Sequence, residues 1–88
     1  MIQNPIIAGK KLVAITLKKS FSLSSGAYRT EWTSDAVDIS MASGETYVSD
    51  DGAVAIVATS SNQVTVRNIS ASSVSLSSGQ VLNCIKFN

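Results

Sequence analysis

One short pattern recurs along this chain: an apolar residue, small and mostly hydroxylated residues, then a residue suited to a turn. It runs Phe21-Ser-Leu-Ser-Ser-Gly26, Ile39-Ser-Met-Ala-Ser-Gly44 and Val74-Ser-Leu-Ser-Ser-Gly79, with a degenerate copy, Val57-Ala-Thr-Ser-Ser-Asn62. The copies start at 21, 39, 57 and 74, intervals of 18, 18 and 17, and a fixed interval is the mark of a repeated structural unit. Alternation of apolar and hydroxyl residues has a period of two, which puts one face of a strand in apolar surroundings. The closing Gly or Asn suits a left-handed backbone position. The unit is therefore a strand running into a turn.

The rest of the chain repeats that logic. Lys11–Leu17 reads as a strand with Val13, Ile15 and Leu17 on one face, bracketed by Lys10-Lys11 and Lys18-Lys19, charges that discourage edge-to-edge aggregation. Ser20–Ser24 is a short strand, and Ala27–Thr33 sets Tyr28, Thr30 and Trp32 against Arg29 and Glu31, two acid–base neighbours on one face that pair weakly. Ser34-Asp35 is a turn. Val37, Ile39 and Met41 point inward from a further strand, Glu45–Ser49 follows, and Asp50-Asp51-Gly52 is the strongest hairpin signal in the chain. Ala53–Thr59 is nearly all apolar, as in a central strand covered on both faces. Ser60-Ser61-Asn62 turns into Val64 and Val66, which alternate with Thr65 and Arg67. Asn68–Ser73 is a polar link, Val74 and Leu76 mark a short strand, and Gln80–Phe87 closes the chain with Val81, Ile85 and Phe87 on one face. About eight or nine short strands with nothing patterned as a helix specify an all-β fold. The expected form is a small antiparallel β-sandwich or barrel, jelly-roll-like, with a β-solenoid as the alternative.

With 88 residues the whole of 1–88 is one domain, and residues 1–8 read as an extended N-terminal arm in which Ile2, Asn4 and Pro5 are the candidate docking contacts. Aromatic residues are only 6% of the chain, so the core has few large side chains and oligomerisation is a common remedy. Charged residues make up 15%, against roughly 25% in an average soluble domain. Ser and Thr, about a quarter of the chain, take their place. Such a surface has little self-repulsion and tolerates dense packing against copies of itself.

Catalytic chemistry is hard to assemble from these residues. The chain has no His, the commonest general base and metal ligand, and its single Cys84 sits in an apolar run that reads as a half-buried, unreactive thiol. No phosphate loop, dinucleotide fingerprint or nucleophile elbow occurs, and nothing in the carboxylate spacing proposes a glycosidase pair. Asp50-Asp51-Gly52 is too short for a calcium loop. The expectation is no enzyme, no cofactor and no metal. Scattered basic residues and a formal net charge of +1 argue against nucleic acid, and no apolar run is long enough for a membrane-spanning helix. The sequon Asn68-Ile-Ser70 matters only in a secreted chain. Tyr28, Trp32 and Tyr47 are the candidate ligand or interface platforms. Trp32 also suits the role of main core side chain in a domain so poor in aromatics, and that is the expectation, with Tyr28 partly exposed.

The stretch from Val64 to Leu82 reads strand, polar link, strand, Gly, strand. It resembles small β-domains of tailed-phage virions, the head decoration and fibre proteins, over under a quarter of the chain. A similar run occurs in trimeric jelly-roll dUTPases, where it ends in Gly-Asp-Arg. Gly79-Gln80-Val81 stands in that place here, so no catalytic residue carries over. The resemblance implies a β-module that assembles. The functional expectation is a structural virion component (capsid decoration, head fibre or tail protein) that associates with itself, a trimer being favoured, or docks on a larger lattice. Its location is then the virion, and otherwise the cytoplasm. The alternative is a small module that binds a glycan or a cell-surface partner.

Overall fold

A computed structural model describes residues 12–87; the proposed arm with Ile2, Asn4 and Pro5, and the Lys10-Lys11 pair, lie outside the described residues. Among the described residues there are eight strands: β1 (Leu12–Thr16), β2 (Phe21–Leu23), β3 (Tyr28–Trp32), β4 (Thr46–Ser49), β5 (Val54–Ala58), β6 (Gln63–Asn68), β7 (Val74–Leu76) and β8 (Val81–Lys86). A single helical turn, α1 (Thr33–Ala36), follows β3. Six strands make one antiparallel sheet in the order β1-β8-β4-β5-β6-β3, and β2 with β7 makes a second. The result is an unequal β-sandwich. It is not a barrel, because the large sheet ends at β1 and β3, and not a solenoid.

The pairing is nested. β1 pairs with β8, β2 with β7, β3 with β6 and β4 with β5, all antiparallel, which is the wrapping of a jelly roll. Only β2·β7 crosses to the second layer; the other three pairs are stitched into one sheet through β4·β8 and β5·β6. The core lies between the layers. Phe21, Leu23 and Leu76 of the small sheet close over Ile15, Tyr47, Val54, Ile56, Ala58, Val64, Val66, Leu82 and Cys84 of the large one. Each fully buried aliphatic or aromatic side chain there stabilises the fold by about 1.5–3 kcal/mol.

The 18-residue interval does not mark a repeated structural unit. Its four copies fall in β2, in an irregular segment, at the end of β5 and in β7. What recurs is a turn. Ala27, Glu45 and Gln80 donate their N–H to the carbonyls of Ser24, Ala42 and Ser77 at 2.9, 3.0 and 3.0 Å, and Gly26, Gly44 and Gly79 take φ of 78°, 90° and 87°, as a type II turn requires at its third residue. In two copies the last side chain completes the turn, Glu45 accepting from Ala42 N–H and Gln80 from Ser77 N–H, both at 2.9 Å. Asn62 does not share the conformation, since every described residue with positive φ is a glycine.

Two local expectations are corrected. Ser34-Asp35 belongs to α1, and Val37, Ile39 and Met41 do not form a strand. Val37 makes one bridge, to Leu17, and then the Asp38 carboxylate accepts the Thr16 N–H at 2.9 Å, so a side chain takes the hydrogen bond a ladder would have used. Val37 and Met41 are nonetheless buried and Ile39 is half-buried.

The buried polar anchor of the fold is Asn68, with no exposed surface. Its amide donates to Leu23 O (3.0 Å) and Ser72 O (2.7 Å), and its carbonyl oxygen accepts from Ser70 N–H (2.9 Å) and Ser70 O–H (2.7 Å). The residue thus ties β6, β2 and the link to β7. As placed, the Asn68 sequon has no accessible amide for a glycan.

Candidate functional site

The three aromatic residues singled out from the sequence go to three different places. Tyr47 points inward from β4 and is 5% exposed, so it is a core residue and no platform. Trp32, expected in the core, is 53% exposed, and Tyr28 is 56% exposed. The reason lies in β3. Tyr28, Thr30 and Trp32 face away from the small sheet, whereas the opposite parity carries Arg29 and Glu31, which sit at the edge of the core. There Glu31 accepts from Lys19 Nζ at 3.0 Å and from Arg29 at 2.9 Å. The Lys19 hydrogen bond, with both cationic charges, holds the Glu31 carboxyl below its ordinary value.

Following the register outward from Tyr28 traces a row across all six strands: Tyr28, Arg67, Ala55, Val48, Ile85, Leu12. A second row holds Thr30, Thr65, Val57 and Thr46, and reaches Phe87 through its N–H to Thr46 O at 2.8 Å. Thr30 and Thr65 share a hydroxyl–hydroxyl hydrogen bond of 3.0 Å. Leu12, Val81 and Phe87 are more than half exposed here. The side of β8 that carries Val81, Ile85 and Phe87 is therefore the open side, with Leu82 and Cys84 inward. β5 is central as expected, yet covered from one side only: Val54, Ile56 and Ala58 are in the core, while Ala55 and Val57 line a shallow depression of about 400 Å³ with Tyr28, Thr59, Thr65 and Arg67.

Charge is distributed against the usual rule for a one-sided sheet, where polar and charged residues take the open face. The strands of the large sheet contain four charged residues, Arg29, Glu31, Arg67 and Lys86, and of these only Arg67 is on the open face. Its guanidinium lies 4.9 Å from the Tyr28 ring centroid, a cation–π contact. Lys86 pairs at the sheet end with Glu45 at 2.7 Å; that contact lowers the Glu45 carboxyl, helped by the Ala42 N–H, and raises the Lys86 amine.

A second concavity, about 370 Å³, opens where β3 runs into α1. Trp32, Ser34, Ile39, Ser40, Ser61 and Asn62 surround it, together with Met41 and Thr33. Thr33 is 7% exposed, and its hydroxyl is buried without a hydrogen-bond partner.

The remaining chemistry-bearing groups are engaged in the fold. Cys84 is fully buried rather than half-buried, and burial, with the negative charges of Asp50 and Asp51, pushes its thiol from the ordinary 9.0 up to about 11. Asp51 accepts from Ser49 O–H at 2.7 Å and from Ala53 N–H at 3.0 Å, which staples the β4–β5 hairpin and lowers its carboxyl. Among the described residues no three His, Cys, Asp or Glu side chains gather as a metal site, and no helix is long and apolar enough to cross a membrane.

No protein-family model, no curated protein and no solved structure matches this chain.

Proposed function

We propose that this protein is a non-catalytic assembly component, of the structural kind found in tailed-phage virions, and that it joins a second copy of itself through the open face of the six-stranded sheet. The observation that carries the reading is the make-up of that face: Leu12, Ile85, Phe87, Val48, Val57 and Tyr28 among threonines, with Arg67 as its one strand-borne charge. Charged groups that would keep two such faces apart are instead paired at the rim, at Glu31 and Glu45. Removing apolar area from water is the driving force for association.

Geometry sets its strength. Six strands about 4.8 Å apart and about five residues deep, at about 3.3 Å per residue, make a face of roughly 450 Å². Two apposed faces bury roughly 900 Å², below the ~1,200 Å² at which stable specific interfaces begin and in the range of weak, transient ones. Such a pair forms reversibly in solution and becomes firm when many copies act together on a lattice. A face that meets the same face of a second copy does so about a twofold axis, so the pairing proposed is a dimer rather than the trimer anticipated from the sequence. The strand–link–strand resemblance from Val64 to Leu82 supports the virion assignment.

Light scattering coupled to size exclusion tests the reading. The wild-type chain is expected to move from monomer to dimer as concentration rises, and Val57→Lys to stay monomeric with an unchanged circular dichroism spectrum. A wild-type chain that is monomeric throughout, and is not retained by any particle, overturns it.

A further inference from the structure

We infer that the concavity beside Trp32 is a binding site for a neutral sugar. It does not rest on the assembly reading: its residues gather at the end of the sandwich where β3 meets α1, and although Trp32 stands on the same side of β3 as Tyr28, the depression lined by Tyr28 and Arg67 shares no residue with it.

Three features converge. First, Trp32 is the only tryptophan in the chain and leaves half its surface in solvent at the mouth of the concavity. An indole exposed at a rim offers a flat apolar surface and an N–H donor, and the C–H face of a pyranose is the complementary shape. Second, the other lining groups are hydroxyls and an amide: Ser34, Ser40, Ser61 and Asn62, with Ile39 and Met41 as apolar filling. Hydroxyls donate and accept, and a primary amide does both at once, which suits the edge of a sugar ring where each hydroxyl does the same. No charged side chain is among the described lining residues. A phosphate, a carboxylate or a cation would therefore be desolvated there without a counter-charge, which is unfavourable. Third, the Thr33 hydroxyl is buried and unpartnered, although the rest of that residue is engaged, its N–H donating to Asn62 O at 2.9 Å and its carbonyl accepting from Val37 N–H at 3.0 Å. Orphaned buried side-chain groups are uncommon in native folds, and this one belongs to a residue that lines the concavity, where a ligand hydroxyl would supply the missing partner. The concavity also falls within the size range of small-molecule sites.

Trp32 makes the test direct, because its indole N–H gives a single resolved signal in a nitrogen–proton correlation spectrum. The unmodified protein is titrated with glucose, galactose, mannose, N-acetylglucosamine and N-acetylgalactosamine, and with N-acetylneuraminic acid as the charged counterpart. At least one neutral sugar is expected to shift the indole signal saturably, together with the amides of Ser40 and Asn62. Trp32→Ala should abolish binding, and Asn62→Ala should weaken it roughly three- to tenfold, the loss of a neutral hydrogen bond. Ser22→Ala, on the exposed side of the small sheet, should leave it unchanged. The inference is overturned if no neutral sugar produces a saturable shift, if shifts centre on Tyr28 and Arg67, or if N-acetylneuraminic acid binds as tightly. The wild-type titration is decisive by itself, so a variant that fails to fold leaves the test intact.

Discussion

The two faces of the six-stranded sheet are built from similar residues and have opposite fates. The inner face carries Ile15, Val54, Ile56, Val64 and Val66 with almost no exposure; the outer face carries Leu12, Tyr28, Val81 and Phe87 at more than half exposure. Along β5 the faces alternate residue by residue, Ile56 inward and Val57 outward. Apolar character alone does not choose between them. The two-stranded β2·β7 layer does, by covering one face and leaving the other open among the described residues.

Adjacent substitutions break that comparison most sharply. Ile56→Ala removes side-chain volume from the closed side and should cost about 3–4 kcal/mol, lowering Tm by roughly 15–25 °C. Val57→Ala, one residue away, should cost less than about 1 kcal/mol of folding stability. Urea denaturation of both at one low protein concentration checks this; equal losses would mean that both faces are core. Next in size, Asn68→Ala deletes four side-chain hydrogen bonds, one to β2 at Leu23 and three to the link that leads into β7. It should cost about 2–3 kcal/mol, and hydrogen exchange should rise in β2 and β7 before β5 and β6.

The pH limbs sharpen the contrast between core and rim. Cys84 is raised from 9.0 to about 11 in the fold, so between those values the unfolded chain ionises and the folded one does not. Stability should fall over that interval by an amount on the order of 2 kcal/mol, and Cys84→Ala should remove that fall. Lys86, also raised, contributes fully below its ordinary 10.5 and loses its contribution as pH climbs through its folded value. On the acid side Glu31, Glu45 and Asp51 are depressed. Their stabilisation is present above the ordinary carboxylate range and is lost as pH falls through the folded values. This acid limb should be the smallest effect, and the part due to the exposed Lys19–Glu31 and Glu45–Lys86 pairs should shrink in salt. Chemical denaturation across pH measures both limbs.

How far the fold is legible in the sequence follows the same division. Period-two alternation and Gly-bearing turns locate every strand, and the φ values at Gly26, Gly44 and Gly79 are what those turns need. The regular interval misleads because three similar turns recur without a similar environment. The 37–41 segment reads as a strand because its apolar alternation is real; a side-chain contact from Asp38 to the distant Thr16 replaces the ladder. Residue type alone puts Trp32 in the core, yet the charges of Arg29 and Glu31 on the other side of β3 already imply that one face of this strand is compromised. Tyr47 fails as a platform because Thr46 and Val48, which flank it, hold the outward register. Asn68 carries no signal beyond an Asn followed two residues later by Ser70, and the Thr33–Asn62 concavity joins segments that only the fold brings together.

The nesting of β1 against β8 has a mechanical consequence. Leu12 begins the first strand opposite Ile85, near the end of the last, so both ends of the described body leave from the same end of one antiparallel pair. Tension applied between them would peel that ladder open one hydrogen bond at a time instead of shearing it all at once. Leu12 and Ile85 would part first on one side of β8, while on its other side the load would fall at once on the pairing of Lys86 and Phe87 with the start of β4. A body strung in this way is a weak link in a chain under pull and a sound tile under pressure across its face.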